Sequence, residues 1–232
     1  MSTPARTRAA GLSMILGGVL LAVPPFLGPP DSSSSTRQRL QNLAENPTTP
    51  ELKSLFFQAA VLLLLPGVAA IAGRTHGRGA GATVSGAVVY GAGIVGAFAF
   101  VVIDGLAVSL AEGRIDASVV AASDRMESGP VVVPTFVLAL LFFHLLGLPW
   151  LTFGMVRAQQ VPLWLAVAAT VGTMCAFFGS GTLLESFGWV LTGAALALLG
   201  RTILLPEGQG LTTWVTRPAL SNSTRIAPPV EQ

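Results

Sequence analysis

Charge is scarce in this chain. Only 10% of its 232 residues are Asp, Glu, Lys or Arg, where soluble domains average about 25%. So few charges cannot clothe a water-exposed surface of this size, and a 52% hydrophobic content is too high for a disordered chain. Cysteine is nearly absent: Cys175 stands alone, which excludes an intrachain disulfide and a cysteine-rich metal centre. The two histidines, His76 and His144, are far apart, so neither a zinc nor a haem site is expected, and no cofactor is implied. Net charge is only +2, too little for a basic field that would hold nucleic acid. Lysine is reduced to Lys53, all other basic side chains being arginine.

Long apolar runs are plentiful. A helix needs roughly 20 apolar residues to cross about 30 Å of hydrocarbon. Six segments meet that need: residues 9–27, 52–72, 82–110, 131–156, 163–179 and 183–205. None alternates with the period of two that a barrel strand requires. The expected fold is therefore all-α, a six-transmembrane-helix bundle. Residues 1–8 form a short N-terminal segment, and residues 206–232 a polar, Gly- and Pro-containing tail. The first run ends in Ala22-Val23-Pro24-Pro25 without a small-x-small cleavage site, so it reads as a retained helix rather than a signal peptide.

Arginine sets the orientation. Arg74, Arg157 and Arg201 each close an even-numbered span, and Arg6, Arg8 and Arg78 lie on the same side. Asp31, Glu45, Glu51, Glu112, Asp116, Asp124 and Glu127 lie on the other, together with the basic Arg37, Arg39, Lys53, Arg114 and Arg125. Positive loops stay inside, which predicts cytoplasmic N- and C-termini in a bacterial cytoplasmic membrane. Trp150 and Trp164 flank a short loop, the level where indole rings collect. Two loops on the acidic side carry helical spacing: Leu40, Leu43 and Ala44 in one, and Ile115, Val119, Ala122 and Met126 in the other. These predict two short extracytoplasmic loop helices, which either float on the headgroups or close over the bundle as a lid.

Some motifs dissolve on physical grounds. Gly91-Ala92-Gly93-Ile94-Val95-Gly96 matches the dinucleotide fingerprint, but that fingerprint needs a strand before it and water for the pyrophosphate, and here it lies inside an apolar span. The same small residues suit close helix packing, with Gly86, Gly93 and Ala97 on span three and Gly193, Ala197 and Gly200 on span six. Asn222-Ser223-Thr224 reads as a glycosylation acceptor, but on the cytoplasmic side. Spans two and four share Phe-Phe-polar, Pro and Arg in the same order, which suits either an internal repeat or chance.

Polar residues inside spans are costly, so they mark the candidate site. Gln58, Asp104, His144 and Glu185 are these residues. They face headgroup water, hold helices together, or line a polar cavity that binds a proton, cation or small solute. No Ser/His pair, aspartate pair, His-Glu-x-x-His or Walker A loop occurs within the spans, so an enzyme is not expected. The leading expectation is a non-enzymatic structural or partner-binding membrane protein. The alternatives are a small secondary transporter or proton-linked carrier, and a membrane sensor. The bilayer is the first partner, with a homo-oligomer or another membrane protein beside it.

Several local patterns occur together: an N-terminal arginine pair before a Gly/Leu-rich span, a polar loop helix ending in Asn46-Pro47, the turn Arg74-Thr75-His76-Gly77-Arg78-Gly79, and the start Val161-Pro162-Leu163-Trp164-Leu165-Ala166. Over roughly Ala5 to Leu205 the chain resembles an uncharacterised family of short six-span bacterial membrane proteins, common in actinobacteria and catalogued as a domain of unknown function. The resemblance implies a fold and a compartment, and no catalytic residues.

Overall fold

A computed structural model of the protein describes residues 3–28, 35–111, 115–130 and 132–205. The tail from residue 206, with Asn222, lies outside the described residues. The structure is all-helical, with no strand among the described residues. In chain order the helices are α1 (Thr3–Leu21), α2 (Thr36–Glu45), α3 (Thr48–Arg74), α4 (Ala80–Ala111), α5 (Ala117–Glu127), α6 (Val132–Leu138), α7 (Leu148–Arg157), α8 (Leu163–Phe178) and α9 (Leu183–Leu204). A 3-10 turn, Pro24–Phe26, follows α1, and a π-helical segment, Ala139–Gly147, joins α6 to α7.

Four helical stretches are long and apolar enough to cross a membrane: Pro4–Phe26, Thr48–Arg74, Ala80–Ala99 and Leu183–Leu204. The expected fourth and fifth spans coincide with shorter apolar helices, Leu141–Arg157 and Leu163–Phe178. Each long helix buries one face and leaves aliphatic side chains on the other. On α1 the exposed face carries Leu12, Leu16 and Val19, and on α4 it carries Val84, Val88, Val95 and Val102, with Val88 68% exposed. In water such faces would be large apolar patches; against lipid they need no cover.

Glycine sets how closely the helices approach. A methyl group placed on Gly18 would come within 2.5 Å of the Gly193 carbonyl oxygen, and one on Gly11 within 2.6 Å of Leu204 Cδ2. On α4, Gly86 faces Leu151 and Gly93 faces Phe142 and Phe143, and Gly79, in the turn just before α4, faces Gly154 and Ala158. Numbers rise on one helix as they fall on the other, so both pairs are antiparallel. Gly172 against Thr192 and Gly179 against Glu185 repeat the pattern between α8 and α9. Such backbone approach replaces the hydrophobic drive that lipid does not supply. The packing order closes on itself: α1 lies against α3 and α9, α3 against α4, α4 against α6, the π-helical segment and α7, α7 against α8, and α8 against α9.

The two prolines behave differently. Helix α3 runs unbroken through Pro66. Pro66 leaves the Leu62 carbonyl without its usual donor, and the hydroxyl of Ser13 on α1 donates to the adjacent carbonyl, Leu63 O, at 2.5 Å. That bond ties α1 to α3 beside the proline. Pro149 instead follows the π-helical turns. It has no N–H for Leu145 O and its ring crowds that carbonyl, which favours wider turns just before it. The likeness between residues 56–74 and 142–157 therefore does not extend to local geometry.

The short helices α2 and α5 are docked rather than isolated. Helix α2 packs on α4 and α5 and buries Leu40 almost completely. Ser35 caps it by accepting from the Gln38 N–H. Thr36 Oγ1 donates to Asp124 Oδ1 at 2.6 Å, joining α2 to α5. On α5 the most buried described side chain is Ser123, one position on from the expected stripe through Val119 and Ala122.

Candidate functional site

Glu185 begins in a cap. The chain turns between α8 and α9 through Gly181, whose φ of 76° suits glycine. Thr182 then caps α9 by accepting from the Leu184 N–H. Three residues on, Glu185 Oε2 accepts from the Gly181 N–H at 2.8 Å. Thr182-Leu183-Leu184-Glu185 thus works as a close variant of the capping box, in which the glutamate reaches back over the first turn. Its other oxygen accepts from Trp189 Nε1 at 3.4 Å. The carboxylate also sits at the positive end of the helix dipole.

Gln58 is tied locally as well. Its Nε2 donates to Ser54 Oγ, one turn earlier on α3, at 3.1 Å, and Ser54 Oγ donates to Val101 O on α4 at 3.5 Å. The amide therefore strengthens the contact between α3 and α4. For Asp104 and His144 the backbone is helical, but their side chains lie outside the described residues. Backbone register still separates them. Phe143, the neighbour of His144, packs at Gly93, eleven positions before Asp104 on the same helix. At 1.5 Å per residue that is about 16 Å along the helix axis, beyond the reach of a direct contact. Of the four candidates, two are engaged in local hydrogen bonds and the other two sit at different heights.

The packing candidates lie within the chain. Gly86 and Gly93 face α7 and the π-helical segment, and Ala97 is buried. Gly193 and Gly200 face α1, where Gly18 also comes within 2.7 Å of Ala197 N once a methyl is placed on it. Each glycine of this set already faces another helical segment of the same chain.

Aromatic rings fill the region between the candidates. Trp189 meets Phe57 edge-on at 5.1 Å and Phe143 at 6.4 Å, and Tyr90 stacks on Phe143 at 5.1 Å. Most buried threonines return their hydroxyl to their own helix, as Thr83 does to Gly79 O, Thr152 to Leu148 O and Thr173 to Ala169 O. Two buried hydroxyls have no partner among the described residues, Tyr90 Oη and Thr192 Oγ1. No group of three or more His, Cys, Asp or Glu side chains comes together among the described residues.

No protein-family model, no curated protein and no solved structure matches the chain. Its function is therefore read from its own residues.

At the arginine-rich end, Arg74 plays a part that residue counting missed. Its guanidinium donates to Ile203 O and, at 2.8 Å, to Leu205 O. These carbonyls belong to the last turn of α9, where no intrahelical donor exists. A planar fork with parallel N–H groups suits two such acceptors. Thr75 then links this turn to the next loop by donating to Gln160 Oε1. Gly79, with φ of 91°, faces Gly154 and Ala158 so closely that both its conformation and its space exclude a side chain. On α5, Asp116 accepts from the Ser118 hydroxyl at 2.6 Å and from the Ser118 and Val119 N–H groups. The Ser118 hydroxyl bond, followed by those backbone bonds, holds its carboxyl below the usual range.

Proposed function

We propose that the protein is a six-span integral protein of the bacterial cytoplasmic membrane, with both ends cytoplasmic, and that it serves as a structural or partner-binding component rather than as an enzyme. The observation that carries this reading is the local engagement of the polar residues. Gln58 bonds to Ser54, and Glu185 bonds to Gly181 and Trp189. A carrier would aim such groups at a shared solute path.

The membrane assignment is supported by the four long apolar helices and by aliphatic outer faces. Arg74, Arg78, Arg157 and Arg201 gather at the helix ends opposite α2 and α5, which supports the orientation through the positive-inside rule. Trp150 and Trp164 are exposed near Arg157, as an interfacial belt requires. The two short helices then lie outside the membrane and offer the surface to a partner. The likeness to the uncharacterised six-span family belongs to the same proposal.

Photocrosslinking residues placed at the exposed positions Gln41 and Ala121 test it in intact cells. A discrete protein adduct from these positions is expected, together with solute and proton flux in proteoliposomes equal to empty vesicles. A pH-dependent flux weakened by Asp104→Asn or His144→Ala would overturn the reading in favour of a carrier.

A further inference from the structure

Tyr90 is the only tyrosine in the chain, against 12 phenylalanines. Tyrosines of membrane proteins collect at the interface, where the ring stays apolar and the hydroxyl reaches water. Tyr90 does neither. It lies ten residues beyond the start of α4, about 15 Å along the helix axis. Its side chain is fully buried, and its hydroxyl has no hydrogen-bond partner among the described residues. A phenylalanine would fill the same space and would leave no polar atom to satisfy. An unpaired buried hydroxyl is a net loss, so an acceptor for it is missing from the protein's own described groups.

The setting narrows what that acceptor is. Tyr90 stacks on Phe143 inside the π-helical segment, and Gly147, which closes that segment, lies against the Tyr90 backbone so tightly that a methyl group there would come within 2.6 Å of Tyr90 Cα. Wide turns of this type open a helix backbone locally and recur at functional positions. The second unpartnered hydroxyl, on Thr192, lies one helical turn beyond Trp189, whose ring is 6.4 Å from that of Phe143. The buried cluster around them is aliphatic and aromatic, with Ile94, Leu148, Leu151 and Leu196 among its members.

We infer that the Tyr90 hydroxyl is the donor of an internal binding point for a small, neutral molecule carrying a hydrogen-bond-accepting oxygen. It is neutral because the described side chains of this buried cluster are apolar and offer an ion no counter-charge. It is small because glycine contacts bring the surrounding backbones together. Water and a neutral organic solute share this chemistry. The inference does not depend on the scaffold reading, since a structural protein and a carrier can both hold such a molecule.

A single tyrosine makes the test direct. In tag-free protein reconstituted in phosphatidylcholine vesicles, the tyrosine Raman doublet reports the bonding of this hydroxyl alone. A donor-type doublet in buffer that is lost on drying the vesicles identifies water as the acceptor, whereas one that survives drying places the acceptor in the chain and overturns the inference. A doublet that turns donor-type only on adding dimethyl sulfoxide or glycerol identifies a solute site. Either identification supports the inference, and an unbonded signature under both conditions overturns it. It is also overturned if the donor signature vanishes in His144→Phe or His144→Ala, whichever folds, because the acceptor is then the chain's own imidazole. Tyr90→Phe supplies an independent readout. Loss of a bonded hydroxyl lowers the unfolding temperature, whereas removal of an unpaired one raises it or leaves it unchanged, and that outcome counts against the site.

Discussion

Gly91 and Gly93 are two residues apart on the same helix and should respond oppositely to alanine. A methyl group on Gly91 meets nothing within 4 Å. There alanine gains only helix propensity, up to about 1 kcal/mol. A methyl group on Gly93 falls 2.5 Å from the Phe142 carbonyl carbon and 2.7 Å from Phe143 Cα. Carbon atoms prefer about 3.5–4.0 Å, so α4 and the π-helical segment must part by about 1 Å. The obstacle is backbone, so no rotamer change relieves it. A gap of that size forfeits about a quarter to a half of each dispersion contact along the seam, and overpacking typically costs about 1–3 kcal/mol. After the propensity gain, Gly93→Ala should lose about 1 kcal/mol net, while Gly91→Ala should be neutral or slightly stabilised. For a chain of this size the loss is about 2–4 °C in unfolding temperature. Thermal unfolding of the purified variants in one detergent measures both. Equal temperatures for the two variants, or a more stable Gly93→Ala, would refute the packing of α4 on the π-helical segment and reopen the Gly86/Gly93 face to a second copy.

Other substitutions probe the ends of the helices. Arg74→Ala strands two carbonyls of α9 and should cost about 2–3 kcal/mol, with Arg74→Lys recovering part of it; faster amide exchange of the last turn of α9 in the alanine variant checks the location. Glu185→Ala should cost about 1 kcal/mol through the lost cap, and Glu185→Gln should lose less, which chemical unfolding can rank. A solute flux that depended on Glu185 would contradict its capping role. The Asp116 carboxyl is held below its ordinary value of 3.8, so its contribution to α5 is complete above that pH. The contribution disappears as pH falls through the lowered value. The protection of the α5 amides, taken as the exchange rate relative to the intrinsic rate at each pH, should therefore fall on the acid side in the wild type and stay constant in Asp116→Asn, whose amide oxygen still caps the helix.

Much of the fold was legible because lipid imposes a simple rule: a spanning segment must be apolar and must satisfy its own backbone. Runs of apolar residues place α1, α3, α4 and α9, and arginines mark their common end. The expected first helix is shifted, since α1 starts at Thr3 and ends at Leu21, before Pro24 and Pro25. Those prolines end the regular helix earlier than hydropathy alone suggests. The π-helical stretch before Pro149 was not legible, because proline permits either a kink, an uninterrupted helix as at Pro66, or a wider turn. Neighbours decide among these.

The candidate site shows the same division. Polarity within an apolar run singled out Gln58 and Glu185, but their partners depend on local geometry. The sequence places Glu185 in the first turn of the last span, and the Thr182-x-x-Glu185 spacing there is itself a capping signal. Spacing puts Tyr90 in one stripe with Ala82, Gly86, Gly93 and Ala97, but that its hydroxyl has no partner follows only from its depth in the packed helices.

What the sequence determined by itself is composition along the chain: too little charge to clothe a water-exposed surface, and apolar runs of spanning length. Its arginines Arg74, Arg157 and Arg201 recur at helix ends, while most carboxylates fall in the intervening loops. Tertiary structure alone decided which glycines touch, which carbonyls Arg74 reaches, and which hydroxyls are left without a partner. Apolar content is additive along a chain, and can be read residue by residue. Contact and hydrogen-bond satisfaction belong to pairs of residues far apart in sequence, as Gly18 with Gly193 and Arg74 with Leu205 are, and exist only once the helices have packed.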